Sequence, residues 1–508
     1  MHYDYDAHGR LASVTSTVHG VYAHHTQHRY TYVDSSDLLS SVSNGSMASV
    51  FNYESYRDLQ EDIETCWITN HVSAFTYYHD AVGRQTQRVD SGLMTNQFGY
   101  NLMSELVEAI IGSNIFTYSY DSIGNRRAAS SGTVSNFYES NQLNQYSSIS
   151  NGLPSSTISL QYDLDGNMTS DGTWIYAWDA ENRLVGVAPL ATNIGSVRLI
   201  FAYDYMSRRV KKLVETHDGS VWRDTLTVLY TYDGWNMVCE NRSDDPKRNY
   251  YVWGLDLSGS TRGAGGVGGL LARVRNENIP QPYYYSCDAN GNITDVLDKN
   301  GSIAAHYEYE GFGNLVAKSG AQANANPFRY STKYYDAEIN LYYYGYRYYN
   351  PTVGRWISRD PYGEMGGLNI YVYVANNPAQ RYDYLGLCCG PDITGDINSE
   401  ISRLNKHIKG LPNMPIFGTP NAIGHNIVNF FQWFAELALS LDYADQGLTG
   451  GWCPSDECVD TVTFCGVCVE DDLPGNILFG YIAEKVGLPG PLRNLGANIA
   501  ELIDDDDE

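Results

Sequence analysis

Along the first 325 residues, apolar and polar positions alternate in short runs, and each run closes on an acid followed by a glycine or a polar residue. The recurring unit is Tyr-x-Tyr-Asp-x-x-Gly-Arg/Asn, then another alternating run. It reads YDYDAHGRL from Tyr3, YYHDAVGR from Tyr77 with His79 in the second tyrosine's place, and YSYDSIGNR from Tyr118. It returns as LQYDLDGNM from Leu160, FAYDYMSRR from Phe201, YTYDGWN from Tyr230, YSCDANGNI from Tyr285 and YEYEGFGNL from Tyr307. Tyr-x-Tyr places both rings on one face of a strand. Asp-x-x-Gly closes a hairpin, with the acid capping the turn and glycine taking the positive φ. One hairpin cannot bury its own aromatic face, so the units must stack side by side into a long, winding antiparallel sheet.

After residue 387 the pattern changes. Ile397, Ile401, Leu404 and Ile408 have helical spacing within 396–409, and Ile427, Phe430, Phe431, Phe434, Leu437 and Leu441 form an apolar face over 422–441. A short strand is expected at 461–464. The run from Phe430 to Leu441 is interrupted by Gln432 and Glu436, too short and polar to span a bilayer. The tail ends in four aspartates and a glutamate, a charge run expected to be disordered. Residues 388–508 thus read as a small α+β domain behind a mainly β one.

Composition sharpens this reading. The chain has 508 residues, 43 tyrosines against 14 phenylalanines, and 48 glycines, which suits short aromatic strands joined by glycine turns. The net charge is −26. Such a chain repels phosphate backbones and anionic lipid, so no stable nucleic-acid or membrane binding is expected. From Cys388 onward, 19 Asp plus Glu face 5 Lys plus Arg, a balance of −14, so a simple acidic shell around a basic cargo does not fit. Three cysteines (Cys66, Cys239 and Cys287) are scattered through the first part. Six (Cys388, Cys389, Cys453, Cys458, Cys465 and Cys468) crowd the last.

The repeats resemble Rhs/YD repeats. YVWGLDLSGS from Tyr251 with GGVGGLLA from Gly265, and NPFRYSTKYYDAEINLYYYGYRYYNP from Asn326, are similar to the stretches that lead into and open the Rhs-associated core. The resemblance covers residues 1–387. It implies a β-shell over 1–325, an Rhs-associated core over 326–387 and a variable toxin domain over 388–508. In this family the repeats form a hollow cocoon that holds the severed C-terminal piece as cargo. Family shells have many more repeats, so this one is expected to be incomplete: an open half-shell, a truncated gene or the terminal part of a larger shell. The resemblance also implies interbacterial competition, a secreted or cell-surface location, secretion-system components and an immunity protein as partners. The sequence shows no signal peptide, so export would be as part of a larger system or a longer chain.

Asp360 and Asp383 are the candidate chemistry. Two carboxyls brought together cannot both ionise cheaply, so one keeps a proton and the pair can activate and position a water. An arginine beside them can hold one carboxylate ionised and stabilise an oxyanion. By resemblance, DPYG from Asp360, GGLNIYVYVANNP from Gly366 and DYLGL from Asp383 match the family's self-cleaving motif. Asp360 and Asp383 are then the acids, Arg347 the supporting arginine, and the cut falls between Leu387 and Cys388. Tyr384 stands where the motif usually has proline. The bland alternative is that both aspartates only cap turns. Arg355 and Arg359 are expected to pair with surface acids. A rival route is attack of the Cys388 thiol on the Leu387 carbonyl.

In the last part, His425 is a candidate general base with Asn476, Tyr481 or Asp472, for an effector of nuclease type; a structural helix histidine is the alternative. Cys453, Cys458, Cys465 and Cys468 suit two disulfides, zinc or free thiols, and no other cofactor is implied. The alternative function is a non-catalytic surface protein whose tyrosine faces bind sugar or a partner.

Overall fold

The computed structural model describes residues 1–18, 23–91, 94–153, 156–387, 461–464 and 467–470. The chain divides into two compact units, residues 1–363 with 368–387, and residues 364–367 with 388–508. In the second unit, Thr461–Phe464 and Val467–Glu470 form a two-stranded antiparallel hairpin, with the first strand at the expected position. The helices expected at 396–409 and 422–441 lie outside the described residues.

The first unit is almost wholly antiparallel β. Fifteen strands from His2–Tyr5 to Ile158–Ser159 make one sheet, and fourteen from Gln161–Tyr162 to Leu315–Ser319 make a second. Each strand pairs with its neighbours in sequence, as expected where each hairpin must stack on the previous one.

The repeat unit explains the turns. Asp6 Oδ1 accepts from the backbone N–H groups of His8 and Arg10 (2.8 and 3.0 Å), Oδ2 takes Arg10 Nε at 2.9 Å, and Gly9 has φ +82°. The same geometry recurs at Asp80 and Asp121. The residue after glycine is therefore Arg or Asn because it reaches back to the turn acid. Copies that sequence inspection passed over use substitutes. Asn101 and Asn141 act as the cap, while Ser104, Asn144 and Asn182 occupy the left-handed position at φ +62°, +60° and +56°.

Tyrosine outnumbers phenylalanine for a specific reason. In unit after unit, the tyrosine that ends the strand before the turn donates its hydroxyl to a backbone carbonyl of an earlier strand. Tyr32 reaches Leu11 O, Tyr100 reaches Gln85 O, Tyr120 reaches Leu106 O (each 2.8 Å), Tyr203 reaches Leu184 O (2.6 Å) and Tyr309 reaches Ile293 O (2.9 Å). The ring fills the apolar layer and the hydroxyl satisfies a carbonyl that would otherwise be buried unpaired, a deficit of about 1–3 kcal/mol each. Trp178 and Trp253 do the same with the indole N–H, to Met168 O and Met237 O.

The two sheets meet each other and a compact aromatic core. Trp67 contacts Tyr284, Tyr77 Oη accepts from the N–H of Ala289, and Arg88 pairs with Asp288 at 3.0 Å. The core carries a four-stranded sheet of Tyr334–Asp336, Leu341–Tyr343, Tyr348–Asn350 and Arg355–Trp356. Tyr330, Tyr342, Tyr344, Tyr349, Trp356 and Tyr373 pack together there, Tyr349 stacked on Tyr373 with ring centroids 4.0 Å apart. Arg355 corrects an expectation. It is buried, lies over the Tyr146 ring at 4.0 Å, and donates to Asn144 O, Asn125 Oδ1 and Asn369 Oδ1. It ties the core to the first sheet instead of pairing with a surface acid. Among the described residues, no helix is long and apolar enough to cross a membrane.

Candidate functional site

The aromatic core brings Arg347, Asp360 and Asp383 together. Arg347 follows the strand Leu341–Tyr343, Asp360 heads the DPYG turn, and Asp383 heads the DYLGL turn. Arg347 is fully buried, with its guanidinium 4.2 Å above the Trp356 ring. Its Nη2 lies 2.7 Å from Asp360 Oδ2 and 3.3 Å from Asp383 Oδ2. One nitrogen thus faces both carboxyls.

Each aspartate divides its two oxygens between structure and this contact. Asp360 Oδ1 accepts from the N–H of Tyr362 at 2.9 Å. Asp383 Oδ1 accepts from the N–H groups of Gly386 and Leu387 at 2.7 and 2.9 Å. The turn-capping geometry and the paired-carboxyl geometry are therefore both present, one per oxygen. Burial pushes the Asp383 carboxyl up to about 6; Arg347 and the two N–H donors pull the other way, while Asp360 adds to the rise.

The segment 384–386 is held carbonyl by carbonyl. Lys333 Nζ donates to Tyr384 O at 2.7 Å, the N–H of Tyr346 donates to Leu385 O at 2.9 Å, and Arg347 Nε donates to Gly386 O. Leu387 is buried at 8% exposure. Gly386 has φ +80°, and a Cβ there would meet Arg347 N and Cβ at 3.0 Å, so only glycine fits.

Lys333 was not singled out in the sequence. It is buried, and among the described residues it makes no ion pair within 4.0 Å; besides Tyr384 O it donates to Gly265 O at 2.9 Å. Burial lowers its ammonium to about 8, against the pull of Asp383 and Asp256. Gly265 has φ +57°, and a Cβ there would fall 2.1 Å from Tyr384 O. The lysine therefore bridges the glycine-rich loop to the segment after Asp383. The available signal was its place in the RYSTKYYD motif, but its partner lies 51 positions away.

The loop carrying Asp360 lines a cavity of about 480 Å³, together with Arg183, Tyr203, Tyr348, Ser358 and Arg359. Cys388 and the effector candidates His425, Asn476 and Tyr481 lie outside the described residues. So do Cys453, Cys458 and Cys465, and the side chain of Cys468.

Comparison with known proteins places this geometry in context. The teneurin YD-shell family model matches residues 267–379, a span containing Lys333, Arg347 and Asp360. The tRNA3(Ser)-specific nuclease WapA of Bacillus spizizenii is 30% identical over 302 residues, 56% of this chain and 11% of that protein. Double-stranded DNA deaminase toxin A of Burkholderia cenocepacia is 25% identical over 326 residues, 61% of this chain and 22% of that one. The chain thus spans only about a tenth to a fifth of these relatives. Among solved structures, TcdB2-TccC3 superposes with a TM-score of 0.58 at 21% identity, covering 76% of this chain and 21% of that one. That likeness shows the fold, large antiparallel sheets of the YD-shell kind.

Proposed function

We propose that the chain, an Rhs/YD-repeat protein, is a polymorphic toxin that severs its own effector after Leu387. Residues 1–325 are the repeat region, 326–387 the self-cutting core and 388–508 the effector. The observation that carries this reading is the single Arg347 nitrogen facing both Asp360 and Asp383, beside a segment in which the carbonyls of Tyr384, Leu385 and Gly386, the three before Leu387, are each held by a donor.

The chemistry follows from the two carboxyls. Asp360, in the closer contact with Arg347, serves as the carboxylate that takes a proton from water. Asp383, raised by burial, carries the proton that it donates to the Leu387 carbonyl oxygen. The water oxygen adds to the carbonyl carbon; Asp360 then passes its proton to the Cys388 nitrogen, the C–N bond breaks, and Asp383 takes a proton back from a hydroxyl of the tetrahedral intermediate. Leu387 leaves with a carboxyl group and Cys388 with an amine. Lys333 holds Tyr384 and so fixes the segment that carries Asp383. Water enters from the cavity behind the Asp360 loop.

The two relatives are named for different effector chemistries, a tRNA nuclease and a DNA deaminase. The shell region therefore does not specify the chemistry of 388–508. Action on nucleic acid is the proposal, with His425, Asn476 and Tyr481 as candidate residues. An immunity protein and a delivery apparatus are the proposed partners, and export the proposed fate. Expression of residues 388–508 in the cytosol tests the effector: growth arrest, relieved by His425→Ala, is expected. Normal growth with detectable soluble protein contradicts it.

A further inference from the structure

Away from the self-cutting site, Glu64, Cys66 and His71 form a cluster of metal-ligating side chains on the first sheet. It is built by the hairpin of Gln60–Trp67 and Asn70–His79. Along the first strand, Ile63, Thr65 and Trp67 are buried, so Glu64 and Cys66 share the opposite face.

The return strand would not put a histidine there without a bulge. Its register pairs Thr65 with Ser73 and then Cys66 with His71, skipping Val72. In unbroken register Cys66 would face Val72, and His71 would face Trp67 on the buried side. The extra residue turns Val72 inward against Met47, Trp67 and Leu297 and brings His71 beside Cys66. Bulges commonly re-aim a side chain in this way.

The result is close. Glu64 Oε1 is 3.1 Å from Cys66 Sγ and 3.2 Å from His71 Nε2, and all three ligand atoms lie within 4.8 Å of one another. Metal–ligand bonds of about 2.0–2.3 Å put the ligands of a tetrahedral zinc about 3.3–3.6 Å apart. The Glu64 and His71 side chains are 44% and 68% exposed, so an ion can reach the cluster from solvent. Sulfur and imidazole nitrogen favour zinc and its neighbours over magnesium or calcium.

We propose that Glu64, Cys66 and His71 bind one divalent transition metal of the zinc class, with a fourth position left to water. On binding, the Cys66 thiol gives its proton to solvent and the thiolate takes the metal. The ion joins two strands at the hairpin end and acts independently of self-cutting.

Cobalt(II) titration of the reduced, chelator-treated full chain tests this. The parent is expected to show a thiolate-to-cobalt band, and Cys66→Ser to bind one equivalent fewer. Comparing variants removes any contribution from the other cysteines. His71→Ala, at an exposed position with little bearing on folding, is expected to weaken that equivalent at least tenfold, and zinc to displace it. Unchanged stoichiometry and spectrum in Cys66→Ser and His71→Ala, or no thiolate band in the parent, overturns the proposal.

Discussion

Asp360 and Asp383 present one oxygen each to the same nitrogen of Arg347, at 2.7 and 3.3 Å, and use the other oxygen to cap a turn. The turn fixes where each carboxyl points, and the arginine fixes how close the two approach. The positions of the acids are thus set jointly by backbone hydrogen bonds and by a buried guanidinium.

Lys333 and Gly265 should matter to cutting without touching the reacting bond. Lys333→Met keeps the bulk but removes both donors to Gly265 O and Tyr384 O. The fraction of cut chain is expected to fall at least tenfold, with the fold retained by circular dichroism. Gly265→Ala adds a Cβ 2.1 Å from Tyr384 O at φ +57°, so it should lower both cutting and stability. Full cutting in Lys333→Met would remove the lysine from the account.

The raised Asp383 carboxyl makes a signed pH prediction. Burial lifts it from an ordinary 3.8 to about 6. Its contribution to stability is therefore fully present below about 4 and is lost as pH rises through about 6. Two pH units correspond to about 3 kcal/mol as an upper scale. Asp360→Asn retains this group and Asp383→Asn lacks it, and both should remain uncut. Between pH 4 and 7, the urea midpoint of Asp360→Asn is expected to fall relative to that of Asp383→Asn. Parallel curves would contradict a raised Asp383.

The thiol route is separable. Cys388→Ala leaves both carboxyls and Arg347 in place, so cutting should proceed at the parent's level on a denaturing gel. Loss of cutting in this variant alone would move the chemistry to the cysteine.

How much of this could be read from the sequence depended on the distance over which each interaction acts. The Tyr-x-Tyr-Asp-x-x-Gly hairpins were legible because strand alternation and turn capping act within a few residues, as at Asp6 and Gly9. Copies with Asn101 and Ser104, or Asn141 and Asn144, escaped because asparagine and serine do the same backbone work with different letters. Arg355 looked like a surface cation, since nothing near it in the chain shows that Asn125 and Asn144 of the first sheet await it. Arg347 was found through family resemblance, and Lys333 was missed because its two carbonyl partners come from far along the chain. The His71 site depends on a single skipped residue, Val72, which no periodicity reveals.

The most direct measurement is intact mass spectrometry of the purified full chain beside Asp383→Asn. The account predicts two species from the parent, ending at Leu387 and beginning at Cys388, and one uncut 508-residue chain from the variant. A parent that stays whole, or a variant cut at the same bond to the same extent, would contradict it.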